Sequence, residues 1–139
     1  MQFGAALLAA PLVWVGLFAL THPAIDVRWP IGALVVFLMP ALVYPVLEEI
    51  VFRGAAQGLL WKTRLAAVAF GPLSGPNLLT SAAFTGLHVL LRPAWFTLGV
   101  IVPSLIFGYF RDRYRGVVPA ILLHIFYNAG FFLLFMRPE

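Results

Sequence analysis

The chain has 139 residues, enough for one domain, with 63% hydrophobic and only 10% charged side chains and a mean hydropathy of +0.99. Soluble domains carry about 25% charged residues, so this composition cannot furnish a water-covered surface, and it indicates an integral membrane protein. The net charge of +4 is spread between apolar runs as loop anchors rather than gathered as a nucleic-acid-binding patch, and the lack of cysteine excludes disulfides and thiolate chemistry.

Phe3 to Leu20 is apolar throughout and matches the ~20 residues that cross a bilayer. No basic segment precedes it, so a retained span is expected rather than a signal peptide. A polar connection follows, and Pro30 suits the first turn of the next helix. The second apolar run, Ile31 to about Leu60, is interrupted only by Glu48, Glu49, Arg53 and Gln57. As a helix it would be about 45 Å long against a hydrocarbon core of ~30 Å. Pro40 and Pro45 are therefore expected to kink it, and its last turns to leave the hydrocarbon at Trp61–Arg64.

Leu65 to Phe70 is too short to cross, and Gly71 to Asn77 is a breaker cluster, so a broken or re-entrant segment is expected near 65–76. Helix should resume near Asn77 and run to about Leu91. A fourth span is expected from Ala94 to Phe110, then a basic loop from Arg111 to Gly116, then a fifth span from Val117 to Met136. The fold class is thus all-α, a polytopic transmembrane helix bundle of about five spans in one domain, residues 1–139. With five spans, Lys62, Arg64, Arg111, Arg113 and Arg115 share the side of the N-terminus, against Arg28, Arg92 and Arg137 opposite. The excess of basic residues places the N-terminus in the cytoplasm.

An ionisable residue inside a span is a functional-site candidate, and three clusters qualify. In Glu48-Glu49-x-x-x-Arg53, Glu49 and Arg53 share a helix face in the favourable order for an ion pair. Glu48 has Phe52 at i+4 instead of a base, so its charge must be met from another helix or suppressed by a proton. The plain alternative is a helix end in the headgroup zone with both glutamates wet. Phe84 and His88 form the second cluster, on one face. Such a histidine either takes part in chemistry or hydrogen-bonds a neighbouring helix. His124 and Asn128 form the third, again four apart. Imidazole and carboxamide offer N–H donors to a common point, as an oxyanion requires, or else clamp two helices. Together the clusters supply a carboxylate to activate water, an imidazole to share the proton and donors for an oxyanion. With no cysteine and no serine beside an obvious base, direct attack by water is the chemistry that remains.

EExxxR, FxxxH and HxxxN, in this order on separate apolar segments between Glu48 and Asn128, resemble the CPBP family, the CAAX-protease and bacteriocin-processing intramembrane endopeptidases. The resemblance implies a glutamic endopeptidase in which Glu48 activates water with help from His88, and His124 and Asn128 stabilise the oxyanion. Glu49 and Arg53 complete the first motif as a supporting ion pair. No metal or other cofactor is needed on this reading, although two His with one or two Glu are also a possible zinc set. Asn128, a poor zinc ligand and a good oxyanion donor, favours the glutamic reading. Relatives commonly have more spans, so the substrate path is the part that this short chain leaves open.

The expected substrate is a membrane-associated protein or peptide, the setting is the lipid bilayer, and no nucleic acid is involved. The small size suits a prokaryotic inner membrane. Oligomeric state is not legible. One rival is a non-catalytic family member that serves as a membrane scaffold, chaperone or immunity protein. Another is a small transporter, which would also use buried Glu and His, although the lack of internal repeats counts against it.

Overall fold

The computed structural model describes residues 1–92 and 95–136, with Trp95 and Phe96 described in the backbone only. The described chain is helical almost throughout. Its helices are α1 (Gln2–Thr21), α2 (Trp29–Gly32), α3 (Leu34–Leu60), α4 (Gly75–Leu91), α5 (Ile101–Tyr114) and α6 (Val118–Phe135). Single 3₁₀ stretches at Arg64–Ala67 and Trp95–Val100 precede α4 and α5. The all-α class therefore holds, with one small addition. Strands β1 (Ala69–Phe70) and β2 (Leu73–Ser74) pair antiparallel, turned by Gly71 at φ +59°, a value that glycine adopts without a Cβ penalty. This hairpin and the Arg64–Ala67 turn are the break expected near 65–76.

Among the described residues, three helices, α1, α3 and α6, are long and apolar enough by themselves to cross a membrane. α4 has 17 residues, at the short end of the range that crosses a bilayer, and α5 has 14. The fourth run is not one continuous α-helix: its first described part coils as 3₁₀ from Trp95 to Val100, and the α-helix begins at Ile101, with Pro103 in its first turn. That helix then passes Phe110 and continues to Tyr114, so most of the expected basic loop is helical. Arg115 ends it in the left-handed region at φ 53°. Ala94 and Arg137, assigned above to a span start and a loop, lie outside the described residues.

α3 is not uniform. Around Pro40 it widens into a π-turn, Met39–Val43, and a second π-segment, Ile50–Ala56, follows Glu49 directly. A proline lacks the N–H that the ladder requires, which accounts for the first. The second contains no proline. α4 starts at Gly75, earlier than expected, because Ser74 Oγ accepts from the Asn77 N–H at 3.1 Å and Pro76 occupies the first turn.

The chain divides into two compact units, Met1–Leu47 with the chain from Leu122, and Glu48–Ile121. In the first, α1 lies against α6 through small and aromatic side chains. Ala6 and Ala10 are buried, Tyr127 donates to the Ala6 carbonyl at 2.7 Å, and Trp14 packs on Phe126 with ring centroids 5.3 Å apart. Trp29 of α2 donates from Nε1 to the Leu133 carbonyl at 3.4 Å. In the second unit, the end of α3, the hairpin, α4 and α5 surround an interior that is largely polar.

Candidate active site

The unit Glu48–Ile121 brings the first two motifs together. Glu49 and Arg53 are both 0% exposed, and Arg53 Nε donates to Glu49 Oε2 at 3.2 Å. Arg53 Nη2 donates to the Ser104 carbonyl at 2.9 Å and to Ser104 Oγ at 2.6 Å. A buried ion pair is held only where further hydrogen bonds serve its remaining groups, and Ser104 supplies two of them, both to Nη2. Glu48, one residue away, is half-buried. Neighbouring helix residues diverge by ~100°, so the twin glutamates have different surroundings although their chemistry is the same.

Phe84 links the motifs. Its ring is 1% exposed and lies 5.5 Å from the Arg53 guanidinium carbon, a cation–π distance. Phe52 meets it edge-on at 5.0 Å, and the His88 ring tilts over it at 4.3 Å between centroids. His88 Nδ1 lies 2.9 Å from the Phe84 carbonyl oxygen. A carbonyl only accepts, so Nδ1 carries the proton in this bond, and in the neutral ring Nε2 is then a lone-pair acceptor. His88 is half-buried.

His124 and Asn128 lie a turn apart on α6, in the other unit. His124 is 4% exposed. Asn128 is half-buried and donates from Nδ2 to the Pro40 carbonyl at 3.0 Å. A carboxamide nitrogen has two N–H groups, so one remains for another acceptor. Within either unit, no three His, Asp or Glu side chains among the described residues gather as a group able to hold a metal.

Four interior residues were not singled out from the sequence. Gln57, Asn77 and Ser104 are fully buried. Gln57 Nε2 donates to the Gly108 carbonyl at 3.1 Å and to Asp112 Oδ1 at 2.8 Å, and Asn77 Nδ2 donates to the Leu105 carbonyl at 3.0 Å. Asp112 also accepts from Trp61 Nε1 at 2.6 Å, Ser74 Oγ at 2.6 Å and Arg111 Nη1 at 3.1 Å. The signal was present as spacing, since Glu49, Arg53 and Gln57 recur every four residues, as do Ser104, Gly108 and Asp112.

A family model for the type II CAAX prenyl endopeptidases, Rce1-like, matches residues 29–130, a stretch that contains all three motifs. The chain belongs to this family. It is an integral membrane protein of an endopeptidase family, whose substrates are peptides or proteins and whose setting is the lipid bilayer. The resemblance drawn from the motifs holds at the level of the family. No curated protein and no solved structure matches the chain.

Proposed function

We propose that this endopeptidase is glutamic, with Glu48 as the base that activates water and His88 as its assistant. The carrying observation is the separation of the twin glutamates: Glu49 is sealed in a buried pair with Arg53, while Glu48 is half-exposed on the same turn. The His88 tautomer supports the reading, because a bond from Nδ1 to the Phe84 carbonyl leaves Nε2 to accept a proton.

In the proposed step, water loses a proton to Glu48 and its oxygen bonds to the scissile carbonyl carbon. His124 and Asn128 donate to the oxyanion as its charge develops. Collapse of the tetrahedral species breaks the C–N bond, and the proton held by Glu48 and His88 passes to the departing amine. Glu49 and Arg53 support the motif without touching the substrate. No metal enters the scheme, because Asn128 is suited to donate a hydrogen bond rather than to ligate zinc.

The domain is the whole of residues 1–139. Its substrate is a membrane-associated protein or peptide, such as a sorting tail, a leader or a lipidated terminus. The proposed location is a prokaryotic inner membrane with the N-terminus in the cytoplasm.

The test compares new protein termini, by mass spectrometry of whole membranes, in cells that carry wild type or Glu48→Gln at matched levels. Termini that appear with wild type and vanish with Glu48→Gln are expected, and they would name the substrate. Identical termini from two folded, inserted proteins would move the reading to a non-catalytic scaffold, chaperone or immunity protein.

A further inference from the structure

Three ranks of polar side chains meet inside the unit Glu48–Ile121. α3 supplies Glu49, Arg53 and Gln57. α4 supplies Asn77, Ser81 and Thr85, and α5 supplies Ser104 and Asp112 with Gly108 between them. Spacing by four keeps each rank on one helix face. The cross-links form rungs. Trp61 and Ser74 meet on Asp112, Gln57 and Asn77 meet at Gly108, and Arg53 meets Ser104. Asp112, 15% exposed in its side chain, is the outer end of this ladder. Glu49, Arg53, Gln57, Asn77, Ser81 and Ser104 are each 0% exposed.

Three buried atoms of the ladder meet no protein partner among the described residues: Arg53 Nη1, Gln57 Oε1 and Thr85 Oγ1. An unmet buried polar group is costly. Arg53 and Gln57 are i, i+4 neighbours, whose Cβ atoms stand about 5–6 Å apart, close enough for one small molecule to touch both. One atom is a cationic donor, one a neutral acceptor, and one a hydroxyl that can do either. An anion would serve Arg53 but face the Gln57 oxygen and Glu49, and a cation would do the reverse. Water both donates and accepts, and two to four polar partners are what a buried water requires.

We propose that ordered waters occupy the seam between α3 and α4, meeting Arg53 Nη1, Gln57 Oε1 and, about two helix turns from the Gln57–Asn77 rung, Thr85 Oγ1. The ladder from Asp112 inward is the polar route by which that water exchanges with the aqueous edge. Its use as a supply of hydrolytic water for Glu48 rests on the glutamic reading. The water site itself does not.

Two measurements test it. Thr85→Val keeps the side-chain shape and removes only the hydroxyl. A hydroxyl that holds a buried water is missed, and the thermal midpoint in detergent should fall by about 3 °C. A dry, unmet hydroxyl is replaced without loss, so an unchanged or raised midpoint overturns the proposal. The second measurement is radiolytic hydroxyl labelling of the wild-type protein in nanodiscs, with brief mixing into H₂¹⁸O. Phe84, buried under Arg53, should be oxidised and should take up ¹⁸O more slowly than exposed aromatic side chains. An unlabelled Phe84 means a dry seam and overturns the proposal. Glu48→Gln should behave like wild type in both measurements, so loss of the water site and loss of the glutamic mechanism are told apart.

Discussion

Glu48 and Glu49 are adjacent copies of one side chain, and burial alone separates them. Glu49 is shut in with Arg53, whose Nη2 reaches Ser104. Removing one member of such a pair leaves an uncompensated buried charge, at a cost of about 3–5 kcal/mol. Arg53→Met should therefore lower stability by about that amount in denaturant unfolding, and Arg53→Met with Glu49→Leu should regain much of it. His88 calls for a different outcome. It is half-buried, and one hydrogen bond contributes only about 1 kcal/mol net, so His88→Gln should leave the unfolding midpoint nearly unchanged. If His88 shares the proton with Glu48, turnover of the substrate found by terminus analysis should fall about 10²–10⁴-fold. Equal turnover would remove His88 from the mechanism.

At the scale of elements, the close approach of α4 and α5 rests on Gly108. A Cβ at that position would overlap the Asn77 carboxamide, which is itself tied to the Leu105 carbonyl. Helix propensity alone favours alanine over glycine by about 1 kcal/mol. Overpacking against a fixed, buried amide costs about 1–3 kcal/mol and wins. Gly108→Ala should thus destabilise the protein, measured as a lower thermal midpoint, whereas Gly86→Ala on α4, whose Cβ would meet nothing within 4 Å, should stabilise it. The same interior explains why α5 continues past Phe110 to Tyr114. Arg111 and Asp112 resemble loop residues in a hydropathy reading, yet Arg111 Nε bonds the Arg53 carbonyl at 3.1 Å and Asp112 gathers four donors. Partners elsewhere in the fold draw these charges into the last turn of a helix.

For the whole molecule, the apolar surface decides the setting. Leu8, Leu12, Val15, Leu20, Ile31 and Val35 are among many large hydrophobic side chains that remain exposed, too many for a protein that faces water. Lipid is the solvent that this surface fits. The proposed orientation rests on the basic residues between the helices. A reporter active only in the cytoplasm should therefore be active when fused to the N-terminus, and one active only outside should be silent there. The reverse pattern would invert the proposed topology.

Membrane residence, helical class and family were legible in the sequence, because each rests on a property that residues carry with them: apolar length, proline and glycine placement, and polar residues four apart inside apolar runs. The ends of α1, α3 and α6 fell within a few residues of expectation for the same reason. Tertiary structure alone decided which polar residues satisfy one another. Nothing in the spacing of Glu49 and Arg53 reveals that Ser104, fifty-one residues beyond Arg53, serves the same guanidinium, or that Asp112 joins the hairpin to α3. Nor does the sequence reveal that His88 presents Nε2 rather than Nδ1 as its acceptor. Helix signals are local, since the backbone bonds that make a helix lie within four residues. A buried charge is met by whatever packing brings near, and that is a property of the folded chain.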